Sequence, residues 1–151
     1  MEPLSAILGR AQQRAQEKDL AYQGCLTPTE AYHVLQCAPL ARLVDVRSRQ
    51  ELDMVGEIPG AVHIEWSFYP DWKPNPDFTA QLLMQVDRES LVMFICRSGI
   101  RSSDAAAIAA QAGFTESYNV LEGFEGVPEA GTGQRGKISG WKAAGLPWIN
   151  K

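Results

Sequence analysis

The sequence predicts an α/β fold in which a parallel sheet is covered by helices on both faces. Short apolar runs alternate with helical stretches along the chain, which is the pattern of strands joined by crossover helices. The length of 151 residues corresponds to about one domain. Ligands of such sheets bind at the carboxyl ends of the strands, so functional residues are expected there.

The chain begins with a polar stretch rich in alanine and glutamine, residues 2–18. We predict a helix that packs on the outside of the domain or frays. The chain is therefore divided into an N-terminal helical extension at residues 1–22 and a single domain at residues 23–151. The domain begins with a short apolar step at Cys25 and Leu26, which predicts the first strand.

The second helix has a well-defined start. Thr27 can cap it, Pro28 suits its first position, and Glu30 can reach back to complete a capping box. This helix is expected to run to about residue 36. The remaining pattern predicts strands at residues 41–46, 61–65, 91–95 and 117–120, with helices at residues 47–54, 77–86 and 101–112.

Composition excludes several classes of function. With 14 Lys and Arg against 18 Asp and Glu, the net charge of -4 offers no basic face for nucleic acid. No segment approaches the roughly 20 apolar residues of a membrane span, so no membrane partner is expected. The three cysteines form no C-x-x-C pair, which favours a reducing, cytoplasmic location without structural zinc.

The stretch from residue 91 to residue 112 contains the main chemical signal. It delivers Cys96 from an apolar strand directly into the start of an alanine-rich helix. Gly99 is free to take a positive φ, so the backbone N–H groups can curl into an anion-binding loop at the helix N-terminus. Arg97 and Arg101 add positive charge, which favours a reactive thiolate. The alternative is a buried structural cysteine flanked by solvated arginines.

Other titratable residues are interpreted as scaffold. Arg47 and Glu51 stand four apart on a short predicted helix and can pair. Asp45 lies near a strand end, and the alternative to a scaffold role is contact with the site loop or its water. His33 and His63 are not placed beside Cys96 by the sequence, so they are expected to be packing or surface residues.

Cys25 and Cys37 are interpreted as small, inert hydrophobic residues. A disulfide between one of them and Cys96 is the alternative.

Residues 121–145 hold seven of the 13 glycines. A long glycine-rich loop that leaves the last strand at the edge of Cys96 can form a rim over the site. Such a rim would contribute Phe124, Arg135, Lys137 or Trp141 to the site around Cys96. The alternative is a packed surface excursion closed by Trp141 and Trp148.

Four motifs together resemble the rhodanese family over most of the chain, from about residue 25 to residue 148. They are LVDVR at 43–47 with Glu51, IPGA at 58–61, CRSGIR at 96–101, and YNV at 118–120 before the glycine-rich stretch. The cysteine loop is the specific one. The sequence departs from the family at Glu57, where His is frequent, and in the insertion at about residues 121–145.

The resemblance implies a rhodanese-like five-stranded parallel sheet with helices on both faces and a persulfide carried by Cys96, the catalytic residue. The loop would cradle the persulfide and bind substrate through Arg97, Ser98, Gly99, Ile100, Arg101 and Ser102. The resemblance does not show the substrate. The chemistry of a thiolate at Cys96 predicts transfer of a sulfane sulfur from a small anionic donor such as thiosulfate to a thiol, cyanide or protein acceptor. No cofactor or metal is expected.

Two other functions are considered. A sulfur-relay or interaction module would receive persulfide from a partner protein. A cysteine phosphatase also uses a thiolate in an anion-binding turn, but it places five residues between cysteine and arginine. Cys96 and Arg101 are separated by four, and Ser102 follows, so the spacing disfavours phosphatase chemistry.

Overall fold

The computed structural model describes residues 2–128, 130–135 and 137–150. Its helices are α1 (Leu4–Glu17), α2 (Pro28–Cys37), α3 (Arg49–Val55), α4 (Phe78–Gln85) and α5 (Ile100–Gln111). Its strands are β1 (Gly24–Leu26), β2 (Arg42–Asp45), β3 (Val62–His63), β4 (Ser67–Phe68), β5 (Lys73–Pro74), β6 (Val92–Ile95) and β7 (Ser117–Val120).

The main sheet has five parallel strands in the order β1-β7-β6-β2-β3. Strand β6 is central and fully buried, as its four apolar residues require. Phe78 of α4 and Ala106 of α5 pack in the core on one face, and Ile7 of α1 and Ala31 of α2 pack in the core on the other. The predicted fold class is therefore confirmed.

The start of α2 follows its local sequence. The hydroxyl of Thr27 accepts from the Glu30 N–H, and the Glu30 carboxylate accepts from the Thr27 N–H. This is the expected capping box. Ser48 and Glu51 form a second capping box at the start of α3.

Helix α1 packs against the domain. Ile7, Ala11 and Ala15 are buried along one of its faces. Arg14 donates to the carbonyl of Cys25, and Gln12 donates to the hydroxyl of Tyr118. These contacts fasten α1 to the edge strand β1 and its neighbour β7.

The connection between β3 and α4 contains an antiparallel hairpin, β4 paired with β5, that the sequence pattern did not predict. Only two residues of each strand pair, which is too short for an alternation of apolar and polar side chains. The hairpin places Trp66 and Trp72 beside the functional edge of the sheet. Within the described residues, no helix is long and apolar enough to cross a membrane.

Candidate active site

Cys96 lies between the end of β6 and the first turn of α5, and its side chain is buried. Its Sγ atom accepts a hydrogen bond from the Gly99 N–H at 3.1 Å and lies 3.2 Å from Oγ of Ser102. Gly99 has a φ of 102°, which a residue with a side chain rarely adopts. The loop therefore aims both a backbone donor and a hydroxyl group at the sulfur.

Asn119 of β7 positions the hydroxyl group of Ser102. Ser102 Oγ donates to Asn119 Oδ1 at 2.6 Å, and Asn119 Nδ2 donates to the Gly99 carbonyl at 3.2 Å. While its single proton is given to Asn119, the hydroxyl can accept from the Cys96 thiol; after the thiol ionises, the hydroxyl can rotate to donate to the sulfur. This role of Asn119 was not predicted from the sequence, although a polar residue in a buried strand was a usable signal.

Arg101 is fastened to α3. Its guanidinium makes two hydrogen bonds to the Glu51 carboxylate, at 2.7 and 2.8 Å. Burial raises the Glu51 pKa, but the hydrogen bonds from Arg101 and from the Ser48 backbone outweigh it and lower the pKa below its ordinary value. The pair of Glu51 with Arg47 that the sequence spacing allowed is not formed, because Glu51 binds Arg101 of the cysteine loop.

Arg47 instead pairs with Asp45, and both side chains are buried. The Arg47 guanidinium binds both carboxylate oxygens and lies 4.1 Å from the centre of the Phe124 ring. The alternative that Asp45 contacts the site loop is therefore wrong. The Asp45–Arg47 ion pair therefore packs against the ring of Phe124, whose backbone N–H binds the Cys96 carbonyl.

Arg97 is the more exposed arginine of the loop, with 47% of its side chain accessible, and its Nε lies 3.2 Å from Glu125 Oε2. The two arginines lie along a surface cavity of about 290 Å³ together with Trp66 and Trp72. Glu125 and both tryptophans were not predicted as site residues, because no local sequence pattern connects them with Cys96.

The six residues predicted to bind substrate occupy different environments. Gly99 and Ser102 contact the sulfur, and Arg97 and Arg101 line the cavity. Ser98 is half-buried, whereas the Ile100 side chain is 73% exposed.

The first part of the glycine-rich segment makes backbone hydrogen bonds to the cysteine loop. The Phe124 N–H donates to the Cys96 carbonyl at 2.8 Å, and the Glu125 N–H donates to the Arg97 carbonyl at 2.9 Å. A Cβ atom on Gly123 would lie 2.6 Å from both of those carbonyl oxygens. Only glycine permits this close approach, and its φ of 65° also suits glycine.

The four residues proposed to form a rim make other contacts. Phe124 and Trp141 are buried in the core, and Trp141 Nε1 donates to the Pro147 carbonyl. Arg135 donates to the Gly126 carbonyl, and Lys137 is exposed. The described part of the segment thus favours the packed alternative, with Trp148 stacked edge-on against Phe124.

The histidines contact other groups. His33 Nε2 lies 3.4 Å from the Cys37 sulfur on α2, and His63 Nε2 lies 2.7 Å from the Arg47 carbonyl. The site therefore presents Cys96 with hydroxyl and amide groups in place of an imidazole base. In the described parts of the chain, no cluster of three His, Cys, Asp or Glu residues could hold a metal ion.

All three cysteines are free thiols. Burial raises the pKa of Cys25, which opposes thiolate formation there. Cys37 is exposed but lies on α2, away from the loop. The expected disulfide alternative is not formed in this structure.

Fold and site define an α/β protein with a buried cysteine in a strand-to-helix loop at the carboxyl edge of a parallel sheet. The model of the rhodanese-like domain family matches residues 27–130, and the chain belongs to that family. The family generally consists of sulfurtransferases.

Relatives of known sequence agree. An uncharacterized protein of Rickettsia conorii is 36% identical over 122 residues, which cover 80% of this chain and 92% of that protein. The thiosulfate sulfurtransferase GlpE of Actinobacillus succinogenes is 28% identical over 122 residues, covering 81% of this chain and 86% of the relative.

Solved structures share the architecture. Rv0390 from M. tuberculosis superposes with a TM-score of 0.79 at 43% identity, covering 86% of this chain and 99% of that chain. The polysulfide-sulfur transferase homodimer from Wolinella succinogenes has a TM-score of 0.59 at 24% identity, covering 95% of this chain and 88% of the other. The second likeness shows the fold alone.

Proposed function

We propose that this protein is a sulfurtransferase that moves a sulfane sulfur from a donor such as thiosulfate to a thiol, cyanide or protein acceptor through a persulfide on Cys96. The observation that supports this most directly is the environment of the Cys96 sulfur. It faces the Gly99 N–H and the Ser102 hydroxyl group, which suit an anionic sulfur.

The chemistry needs no general acid. The Cys96 thiolate attacks the outer sulfur of thiosulfate, a new S–S bond forms, and the old S–S bond breaks with its electron pair leaving on sulfite. The acceptor then attacks the outer sulfur of the persulfide and restores the thiolate. Sulfite leaves as a stable anion, which agrees with a site where both histidines contact other groups.

The loop residues take different roles in this proposal. Cys96 is the nucleophile, and the loop from Arg97 to Ser102 holds the donor and the persulfide. Arg97 is the arginine that a donor can reach from solvent. Arg101 holds the loop to α3 through Glu51, so it positions the nucleophile. The odd number of cysteines, without a C-x-x-C pair, supports a reducing compartment such as the cytoplasm.

The test is to incubate the purified protein separately with thiosulfate, a persulfidated donor protein and an aryl phosphate, and to map the modification by mass spectrometry. We expect one added sulfur, on Cys96 alone, and loss of thiosulfate:cyanide activity in Cys96→Ser. Sulfur on Cys25 or Cys37, or full activity in Cys96→Ser, would contradict the proposal.

The same experiment separates the alternatives. Loading only from the persulfidated protein would indicate a sulfur-relay module. Phosphate on Cys96 would indicate a phosphatase, which is disfavoured because Arg101 already binds Glu51 through both terminal nitrogens.

A further inference from the structure

The positive charge of the cysteine loop is cancelled by two carboxylates. Arg101 pairs with Glu51 at 2.7 Å, and Arg97 pairs with Glu125 at 3.2 Å. Both carboxylates are largely shielded from water, with 14% and 8% of their side chains exposed. The described residues that line the cavity carry no additional cation. The site therefore offers a donor two dipolar ion pairs and little net positive charge.

Binding of a doubly charged donor at this site is energetically unfavourable, because both arginines are already paired with carboxylates. Binding a dianion through Arg97 competes directly with Glu125, and a carboxylate that loses its partner inside the protein is strongly destabilised. Arg101 is less available still, because its two terminal nitrogens are already used by Glu51. The net charge of the chain, -4, gives no compensating attraction at long range.

The wall of the cavity is aromatic. Trp66, Trp72 and Pro74 line it beside the two arginines. Trp72 as a residue is 44% exposed, and the centre of its ring lies 5.0 Å from the Arg101 guanidinium. Tyr69, whose ring packs edge-on against Trp72, is 48% exposed. Exposed aromatic side chains at the edge of this cavity can pack against an apolar group of a ligand.

From these two observations we propose that the donor is a singly charged sulfane-sulfur compound carrying an apolar organic group, and that it is preferred to the thiosulfate dianion. This inference rests on the proposed persulfide function. The organic group lies against Trp72 and Trp66, where it meets apolar surface. The single negative charge is carried by the outer sulfur, which approaches Cys96, so the Arg97–Glu125 pair stays intact.

The reaction with an aryl thiosulfonate balances in the same way as the reaction with thiosulfate. The Cys96 thiolate attacks the outer sulfur and forms the persulfide S–S bond. The bond between the outer sulfur and the sulfonyl sulfur breaks, and its electron pair leaves on an aryl sulfinate anion. Two negative charges are present before and after the step, and no oxidant or reductant is consumed.

The test compares benzenethiosulfonate with thiosulfate, using cyanide as the common acceptor and the intact chain. We expect kcat/KM for benzenethiosulfonate to be at least about tenfold higher, a difference of about 1.4 kcal/mol in transition-state stabilisation. Trp72→Ala should raise KM for benzenethiosulfonate severalfold, and by a larger factor than it raises KM for thiosulfate. An equal or higher kcat/KM for thiosulfate would overturn the inference.

Substitution of Glu125 tests the charge argument directly. Glu125→Gln leaves Arg97 uncompensated, so KM for thiosulfate should fall severalfold and become more sensitive to salt. KM for benzenethiosulfonate should change less. Glu89→Gln is the matched control, because it removes an exposed charge in the turn before β6, at the opposite end of the sheet. A thiosulfate KM unaffected by Glu125→Gln in a folded variant would contradict the charge argument.

The failure of this inference differs from failure of the proposed function. If Cys96 is loaded with sulfur but thiosulfate is the better donor, only the donor class is wrong. If neither donor places sulfur on Cys96, the persulfide function itself is wrong. If Glu125→Gln does not fold, the donor preference of the unmodified protein and of the Trp72→Ala variant still tests the proposed class of donor.

Discussion

At the scale of single residues, the reactivity of Cys96 depends on few polar groups. The Gly99 N–H has a fixed direction, whereas the Ser102 hydroxyl can rotate between Asn119 and the sulfur. A thiol and a thiolate can therefore both be accommodated without movement of the backbone. The buried amide of Asn119 holds that hydroxyl in place from the neighbouring strand.

Ser102→Ala should make the Cys96 thiolate harder to form. The thiolate loses a hydroxyl donor, and a hydrogen bond to a charged group contributes about 1.5–3 kcal/mol. The rate at which iodoacetamide alkylates Cys96 at a fixed pH near neutral should fall severalfold.

Ser103→Ala is the matched control for this experiment. The Ser103 hydroxyl lies 2.8 Å from the Tyr22 hydroxyl and so serves a different contact on the same helix. Its removal should leave the alkylation rate of Cys96 unchanged. A rate that is unchanged in Ser102→Ala, or lowered equally in both variants, would show that Ser102 does not stabilise the sulfur anion.

At the scale of secondary-structure elements, buried and half-buried carboxylates join helices to their neighbours. Glu51 serves both the N-terminus of α3 and the guanidinium of Arg101. Glu30 does the same for α2 and α1, where it receives hydrogen bonds from Arg10 and Arg14. One acidic residue thus satisfies a capping box and fixes a second helix.

Glu30 should make the stability of the protein depend on acid pH. Burial raises its pKa, but hydrogen bonds from Arg14, the Thr27 N–H and Arg10 outweigh burial and lower the pKa to about 2. Because the folded-state pKa lies below the ordinary value of 4.5, this stabilisation is complete above that pH. It disappears as the pH falls towards 2.

The measurement is the free energy of unfolding of Glu30→Gln and of the unmodified protein between pH 7 and pH 2. The difference should be on the order of 1–3 kcal/mol at neutral pH and should shrink below about pH 4.5. Glu89→Gln, at an exposed position, should show no comparable trend. A difference that persists unchanged at low pH would mean that the ion pair is not its origin.

At the scale of the whole molecule, the site is assembled where three distant parts of the chain meet at one edge of the sheet. Strand β6 delivers the cysteine, α3 holds Arg101, and the segment after β7 binds the carbonyls of Cys96 and Arg97. The first residues of the glycine-rich segment therefore support the cysteine loop through backbone hydrogen bonds.

Gly123→Ala tests that support. A left-handed backbone costs a residue with a Cβ about 1–2 kcal/mol, and here the added Cβ would also collide with the carbonyls of Cys96 and Arg97. We expect a lower thermal midpoint and slower sulfur loading of Cys96.

Gly133→Ala separates the two effects. Gly133 also has a positive φ, 71°, but an added Cβ would meet nothing within 4 Å. Each kilocalorie per mole of destabilisation lowers the midpoint by about 2–4 °C in a domain of this size. Gly123→Ala should therefore lose several degrees more than Gly133→Ala. Equal losses in the two variants would indicate that the close approach at Gly123 does not matter.

Local patterns alone were sufficient to predict the fold class and the position of Cys96. The alternation of strands and helices, the capping box of Thr27 and Glu30, and the strand-to-helix turn at Cys96 all depend on residues within a few positions of one another. Such short-range preferences for helix, strand or turn do not depend on where the segment lies in the fold. The β4–β5 hairpin was not predicted because its two-residue strands have no detectable periodicity.

The partners of the charged residues were decided by the tertiary structure. Arg101 and Glu51 are 50 positions apart in the chain, and Arg97 and Glu125 are brought together only when β6 and β7 pair. A long flexible cation can reach several carboxylates, and local spacing favoured Arg47 with Glu51. Folding instead buried Arg47 against Asp45 and left Glu51 facing the cysteine loop, because the sheet sets which strand ends lie side by side.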